Sequence, residues 1–200
     1  YWILFVVSLT TFMVFVDATV VNTALPSIAR DFAATNSTLQ WVVNSYSLLV
    51  AGLLLLGGTT GDRFGRRKLL AFGAVVFGGA AVGAALSPNT TVLILTRGLQ
   101  GVGAAMMLPQ TLSIIVAVFE RHERAKAIAV WTAVGGIAAG LGPVLGGLLV
   151  DNVSWEAVFW LHVPVVAIIL MGLSIVPESR DSRQTPTDLP GAILGTGGLL

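Results

Sequence analysis

Unbroken apolar runs bounded by small clusters of charge set the rhythm of this chain. Residues 32–61, 69–96, 98–119, 127–150 and 157–177 contain no Asp, Glu, Lys or Arg. A helix rises about 1.5 Å per residue, so roughly 20 apolar residues cross a hydrocarbon core about 30 Å thick. Each run is long enough to do so. The pattern predicts spanning helices near 2–24, 39–58, 69–87, 92–115, 127–150 and 157–176, with a seventh beginning near Leu189. Apolar positions come in continuous stretches and do not alternate with polar ones, which argues against a β-barrel. The expected architecture is therefore an all-α membrane protein. It comprises a six-helix transmembrane bundle over 1–177, a cytoplasmic loop over 178–188, and the start of a seventh span over 189–200. A first residue other than Met and an end inside an apolar stretch suggest a piece of a longer protein.

Composition strengthens this picture. Charged residues make up 10% of the chain, against about 25% in ordinary soluble domains. Mean hydropathy is +0.87. Such a chain lacks the residues to build a water-facing surface. Cysteine is absent, which excludes disulfides and thiolate metal sites, and two histidines are too few for a histidine cluster. The net charge of +1 gives no sign of nucleic-acid binding. Glycine is abundant at 23 residues, with pairs such as Gly79 and Gly83 or Gly136 and Gly140 at a spacing that lets helices approach closely.

Charge position fixes an orientation. The loops after the second, fourth and sixth spans hold nine basic residues: Arg63, Arg66, Arg67, Lys68, Arg121, Arg124, Lys126, Arg180 and Arg183. The loops after the first, third and fifth spans hold Arg30 alone. Basic loops face the cytoplasm, so the N-terminus is expected there too.

Two charges remain inside the spans. Asp17 lies about two-thirds along the first and Arg97 early in the fourth, which places both near 10 Å below the outer surface by helix rise. A buried charge at depth costs a few kcal/mol, so such residues face a cavity or each other. One reading is that Asp17 takes up and releases a proton, with Arg97 responding to its charge. The other is that Asp17 snorkels outward and Arg97 is a structural clamp. Gln100 and Gly101 follow Arg97 on the same helical face, polar and small as a cavity lining would be.

The segment Gly58-Thr59-Thr60-Gly61-Asp62-Arg63-Phe64-Gly65-Arg66-Arg67-Lys68 resembles the signature between the second and third spans of the major facilitator superfamily, with Thr60 where Leu is usual. The stretch Leu93-Ile94-Leu95-Thr96-Arg97-Gly98-Leu99-Gln100-Gly101-Val102-Gly103 is similar to that family's fourth-span motif. Gly140-Leu141-Gly142-Pro143-Val144-Leu145-Gly146-Gly147 is similar to its antiporter motif, with Ala138 at a position where Gly is frequent. Proline removes an N–H and crowds the preceding turn, so a kink is expected at Pro143. The stripe Gly136, Gly140, Pro143 and Gly147 is expected to pack tightly.

The first span, Phe15 to Pro26, resembles the fourteen-span drug/proton antiporters of the EmrB/QacA type. Gln40-Trp41-Val42-Val43 with Tyr46 resembles their second-span start, and Asp188-Leu189-Pro190-Gly191 their seventh. Trp155 and Phe159 to Pro164 resemble the start of the sixth span, with Glu156 for a usual Arg and His162 for a usual Asn. The resemblance therefore implies no specific role there.

The resemblance implies an N-terminal half that rocks against a C-terminal half around a central cavity. Asp17 and Arg97 would couple protons. Gly58, Asp62, Arg63, Gly65, Arg66 and Arg67 would form a cytoplasmic gate loop, and Gly142, Pro143, Gly146 and Gly147 the antiporter helix. Asn22, Trp41, Asn44, Tyr46 and Gln100 are candidate cavity residues. The implied activity is multidrug or antibiotic efflux at the plasma membrane. The expected partners are the lipid bilayer, a small-molecule substrate, protons and the other half, with a proton gradient in place of any cofactor. A metabolite or sugar transporter of the same family is the nearest alternative, and a noncatalytic membrane scaffold or channel component is one from another class. A membrane enzyme would need a nucleophile with a base, or paired ligands, at depth, and only Asp17 and Arg97 stand there.

Overall fold

A computed structural model describes residues 1–180 of the chain. The seventh span expected from Leu189, together with Arg183 and Asp188, lies outside the described residues. The elements are α1 Trp2–Phe32, α2 Asn36–Phe64, α3 Arg66–Ala85, α4 Thr90–Val118, α5 Arg124–Asn152, α6 Ala157–Trp160 and α7 His162–Leu173. Five of these are long and apolar enough to cross a membrane. The expected sixth span appears as α6 and α7 in tandem, with Leu161 between them still in helical φ/ψ. Pro164 accounts for the break one turn earlier, because it offers no N–H to the carbonyl of residue 160.

The first, second, fourth and fifth helices outrun the spans read from hydropathy, while α3 ends at Ala85 and α7 at Leu173, short of the expected ends. The first helix continues through Pro26 to Phe32, and Ala33 then adopts a left-handed conformation that ends it. At 31 residues it is about 46 Å long, more than a hydrocarbon core requires. Its extra turns can carry Arg30 and Asp31 because they need not lie in lipid. Asp31 accepts a hydrogen bond from the Trp155 indole at 2.7 Å, and the Phe32 ring meets Trp155 edge-on. This end of α1 is thereby fastened to the start of α6.

Most of the segment expected as a loop, 58–68, is helical as well. Asp62 and Arg63 form the last turn of α2, and α3 starts at Arg66. Gly65 alone makes the corner, at φ 115°, a value that L side chains rarely adopt.

Two groups of helices make up the bundle. The second and third helices pack along α4, and α5 packs along α1, while α6 and α7 join α1 to α3. Glycines set the close approaches. A Cβ at Gly57 would fall on the Ala105 carbonyl, and one at Gly101 would meet the Tyr46 backbone. Between α1 and α5, Gly142 lies against Thr19 and Gly146 against Val20 and Thr23. The expected packing stripe is shifted. Gly136, Gly140 and Gly147 have open space where a Cβ would point, and so does Gly79 in α3. The buried face of α5 is instead Gly135, Ala138, Gly142 and Gly146. A helix turns about 100° per residue, so a one-residue shift moves the whole stripe onto a neighbouring face. That open face belongs to a helix with only 22% of its apolar window covered, against 56% for α1.

Candidate functional site: a buried charge cluster

A fully buried polar cluster joins α1, α2, α4 and the α6–α7 region. Asp17 is the sixteenth residue of α1 and projects toward α4. Arg97 is the eighth residue of α4. Asp17 thus sits at mid-helix, farther from the C-terminal end of its helix than the hydropathy span suggested, because α1 extends beyond residue 24. The two side chains still meet. Arg97 Nη1 donates to Asp17 Oδ2 at 2.7 Å and to Oδ1 at 2.9 Å, with 1% and 0% of the side chains exposed.

The guanidinium is held from several directions. Nη1 also donates to Gln100 Oε1 at 2.9 Å, and Nε donates to the Val42 carbonyl at 3.4 Å. Its plane lies over the Tyr46 ring at 4.4 Å. Gln100 in turn donates to Asp17 Oδ1 at 3.4 Å, and the Tyr46 hydroxyl donates to the Val14 carbonyl. A buried ion pair is tolerable when both charges find extra hydrogen bonds and the guanidinium meets an aromatic face. Gly101 permits this arrangement, since its missing side chain lets the Tyr46 backbone approach α4.

Of the candidate cavity residues, Tyr46 and Gln100 belong to this cluster, whereas Asn22, Trp41 and Asn44 are exposed on other faces. One member was discounted in the sequence. The His162 ring is fully buried, with Nε2 3.6 Å from Asp17 Oδ1 and Nδ1 3.3 Å from the Phe159 carbonyl. Phe77 meets the same ring edge-on. The only sequence signal was an ionisable residue where a neutral amide is usual.

A second site lies at one end of the bundle, around the corner between α2 and α3. Arg66 pairs with Asp62 at 2.8 Å and reaches the Ser113 carbonyl of α4. Glu178, which sequence reasoning passed over, accepts a hydrogen bond from the Arg67 backbone N–H at 3.1 Å. Arg67 donates to the Val176 carbonyl, and the Arg66 N–H donates to the Ser179 carbonyl. The chain after α7 is thus tied to the corner at Gly65. Arg63 is exposed and stacks on Phe64, and Gly58 lies beside Pro109.

Between α1 and α5 lies a cleft of about 260 Å³ lined by Thr11, Phe15, Trp131, Thr132, Gly135, Gly136 and Ala139. The Trp131 indole donates to Thr111 Oγ1 at 3.1 Å, which links its wall to α4.

The family model described as Major Facilitator Superfamily matches residues 7–197. The chain belongs to this superfamily. It is 41% identical to the puromycin resistance protein pur8 of Streptomyces alboniger, over 100% of this chain and 40% of that protein. It is 42% identical to the multidrug resistance protein Stp of Mycobacterium tuberculosis, over 92% of this chain and 34% of that one. The chain therefore spans well under half the length of these superfamily relatives. Among solved structures it resembles the superfamily's proton:xylose symporter XylE, with a TM-score of 0.79 at 20% identity. That match covers 99% of this chain and 48% of the symporter. At that identity the likeness speaks for the fold. The chain is a multi-pass membrane protein of a transporter family.

Proposed function

We propose that this chain forms the N-terminal half of a proton-coupled antiporter that exports hydrophobic or cationic small molecules across the plasma membrane. The N-terminus is cytoplasmic in this reading, and the proton gradient supplies the driving force without a cofactor. The observation that carries it is the Asp17–Arg97 pair, fully buried yet joined to a polar network. With both groups charged, the pair is neutral as a unit and suits a closed, dry state. A proton on Asp17 cancels its attraction for Arg97 and leaves a net positive charge in low dielectric, which is costly until water reaches the site. Protonation therefore favours a conformation in which this part of the bundle opens. That linkage of charge to access is what coupling requires.

The cargo reading is supported by the resistance named for the relatives, to puromycin in one and to multiple drugs in another. The cleft beside Phe15 and Trp131 is mostly apolar and suits a planar, lipophilic molecule. Asp62, Arg63, Gly65, Arg66 and Arg67 act as the cytoplasmic gate. Gly142, Pro143, Gly146 and Gly147 serve the antiporter helix, and the C-terminal half of the same protein completes the cavity. The chemistry is transport and not catalysis.

The test uses the full-length parent in everted vesicles, with ethidium as a fluorescent lipophilic cation. Asp17→Asn is expected to abolish ethidium-driven proton movement while the protein still accumulates in the membrane. Proton movement at the parental rate would overturn the coupling role.

A further inference from the structure

His162 has no place in the coupling scheme just given, yet its ring stands against the group at the centre of it. The ring is 1% exposed. It is flanked by Asp17 from α1, Phe77 from α3 and Phe159 from α6. Among the described residues, the titratable groups gathered around this cluster are Asp17, Tyr46 from α2 and Arg97 from α4.

Both ring nitrogens face acceptors. Nδ1 stands 3.3 Å from the Phe159 carbonyl, and a neutral ring has one N–H, so it donates on one side only and leaves a bare lone pair toward the acceptor on the other. The second nitrogen is Nε2. That atom is buried with no hydrogen-bond partner, and it faces Asp17 Oδ1 at 3.6 Å. An ionised carboxylate, like the carbonyl, only accepts. Two acceptors that face each other in a dry interior repel, and a buried polar atom without a partner is costly. One proton placed between them removes both penalties. The pair is therefore arranged as a proton-binding site with two seats.

We propose that His162 shares the transported proton with Asp17, as the second base of the coupling site. The inference rests on the reading that Asp17 is where protons bind. The step is a simple transfer. The O–H bond of protonated Asp17 breaks, an Nε2–H bond forms, and the carboxylate regains its pair with Arg97 while the imidazolium keeps the charge. No other reactant is needed. The cluster goes from neutral with no proton to singly positive with one, in whichever seat the proton rests. Two bases in contact give the proton two positions, so the site binds it more tightly than the carboxylate alone.

The experiment measures protons released when ethidium binds the purified full-length parent in weakly buffered detergent, between about pH 5 and 8. The unsubstituted protein is expected to release protons with a pH-dependent stoichiometry. His162→Asn removes one base, so the profile should move toward acid by at least about one pH unit, a tenfold change in proton concentration. Ethidium binding at the alkaline end should persist. His162→Gln takes its place if the Asn variant does not accumulate, and His122→Asn, at an exposed residue, should leave the profile unchanged. Asp17→Asn should release no proton, because an imidazolium at His162 would then stand beside the uncompensated Arg97 charge in a dry interior. A parental profile in the His162 variants, with Asp17→Asn silent, overturns the shared proton and leaves the coupling role of Asp17 standing. Undiminished release from Asp17→Asn overturns that role itself.

Discussion

At the scale of single residues, the Asp17–Arg97 pair carries opposite risks for its two members. Removing Arg97 leaves a carboxylate in a dry interior, and breaking a buried pair in this way typically costs about 3–5 kcal/mol. Arg97→Met should therefore lower the thermal midpoint of the detergent-solubilised parent sharply. The double variant Asp17→Leu with Arg97→Met should recover much of the loss, because it replaces both charges by apolar groups that need no partner. Additive losses in that cycle would mean that the two charges are not coupled. The corner glycine gives a second test. Gly65 combines φ 115° with the Glu178 carboxylate 2.8 Å from where a Cβ would stand. Gly65→Ala should cost about 1–2 kcal/mol in conformational strain and also displace Glu178 from the Arg67 N–H. Faster proteolysis after α7, at unchanged expression, would report the released tether.

Among the elements, hydropathy located every helix of the described residues but not how far each one ran. The missing information was tertiary. Pro26, Arg30 and Asp31 read as the end of a span, yet α1 continues because Trp155 satisfies Asp31 from another part of the chain. The same limit applied to the site. Asp17 and Arg97 were legible because any charge in an apolar run is conspicuous. His162 and Glu178 were not, since nothing local shows that a histidine at the start of one span will face an aspartate 145 residues earlier. The face of α5 that packs on α1 was not legible for a related reason: glycine spacing reveals a stripe, and only the partner helix reveals which stripe it uses. Gly142→Val should push α5 away from Thr19 and cost about 1–3 kcal/mol by overpacking. Gly136→Val, which points into open space, should leave the thermal midpoint of this half nearly unchanged. Equal losses at the two positions would contradict the packing described.

For the molecule as a whole, the two ends of the bundle differ in kind. One end holds Asp62, Arg66, Arg67 and Glu178 in a basic, hydrogen-bonded corner. The other holds the Thr35 and Asn89 caps and the Trp155–Asp31 tie, with Arg30 as its one basic side chain among the described residues. Because α1 to α5 each cross the bundle once, a single determination of sidedness orients all of them. In the proposed orientation, which rests on the positive-inside bias, the basic end faces the cytoplasm. The absence of cysteine from this chain makes the measurement direct. In a parent freed of any other cysteine, Arg121→Cys and Asn36→Cys stand on exposed residues at opposite ends. A membrane-impermeant maleimide added to everted vesicles should label Arg121→Cys strongly and Asn36→Cys weakly, and right-side-out vesicles should reverse the order. The inverted pattern would place Arg30 inside and the corner that holds Arg66 and Arg67 outside. It would also turn the gate corner to the wrong side for a cytoplasmic latch. Labelling of both from one side would break the alternating topology on which the bundle, the gate and the depth of the Asp17 site all depend.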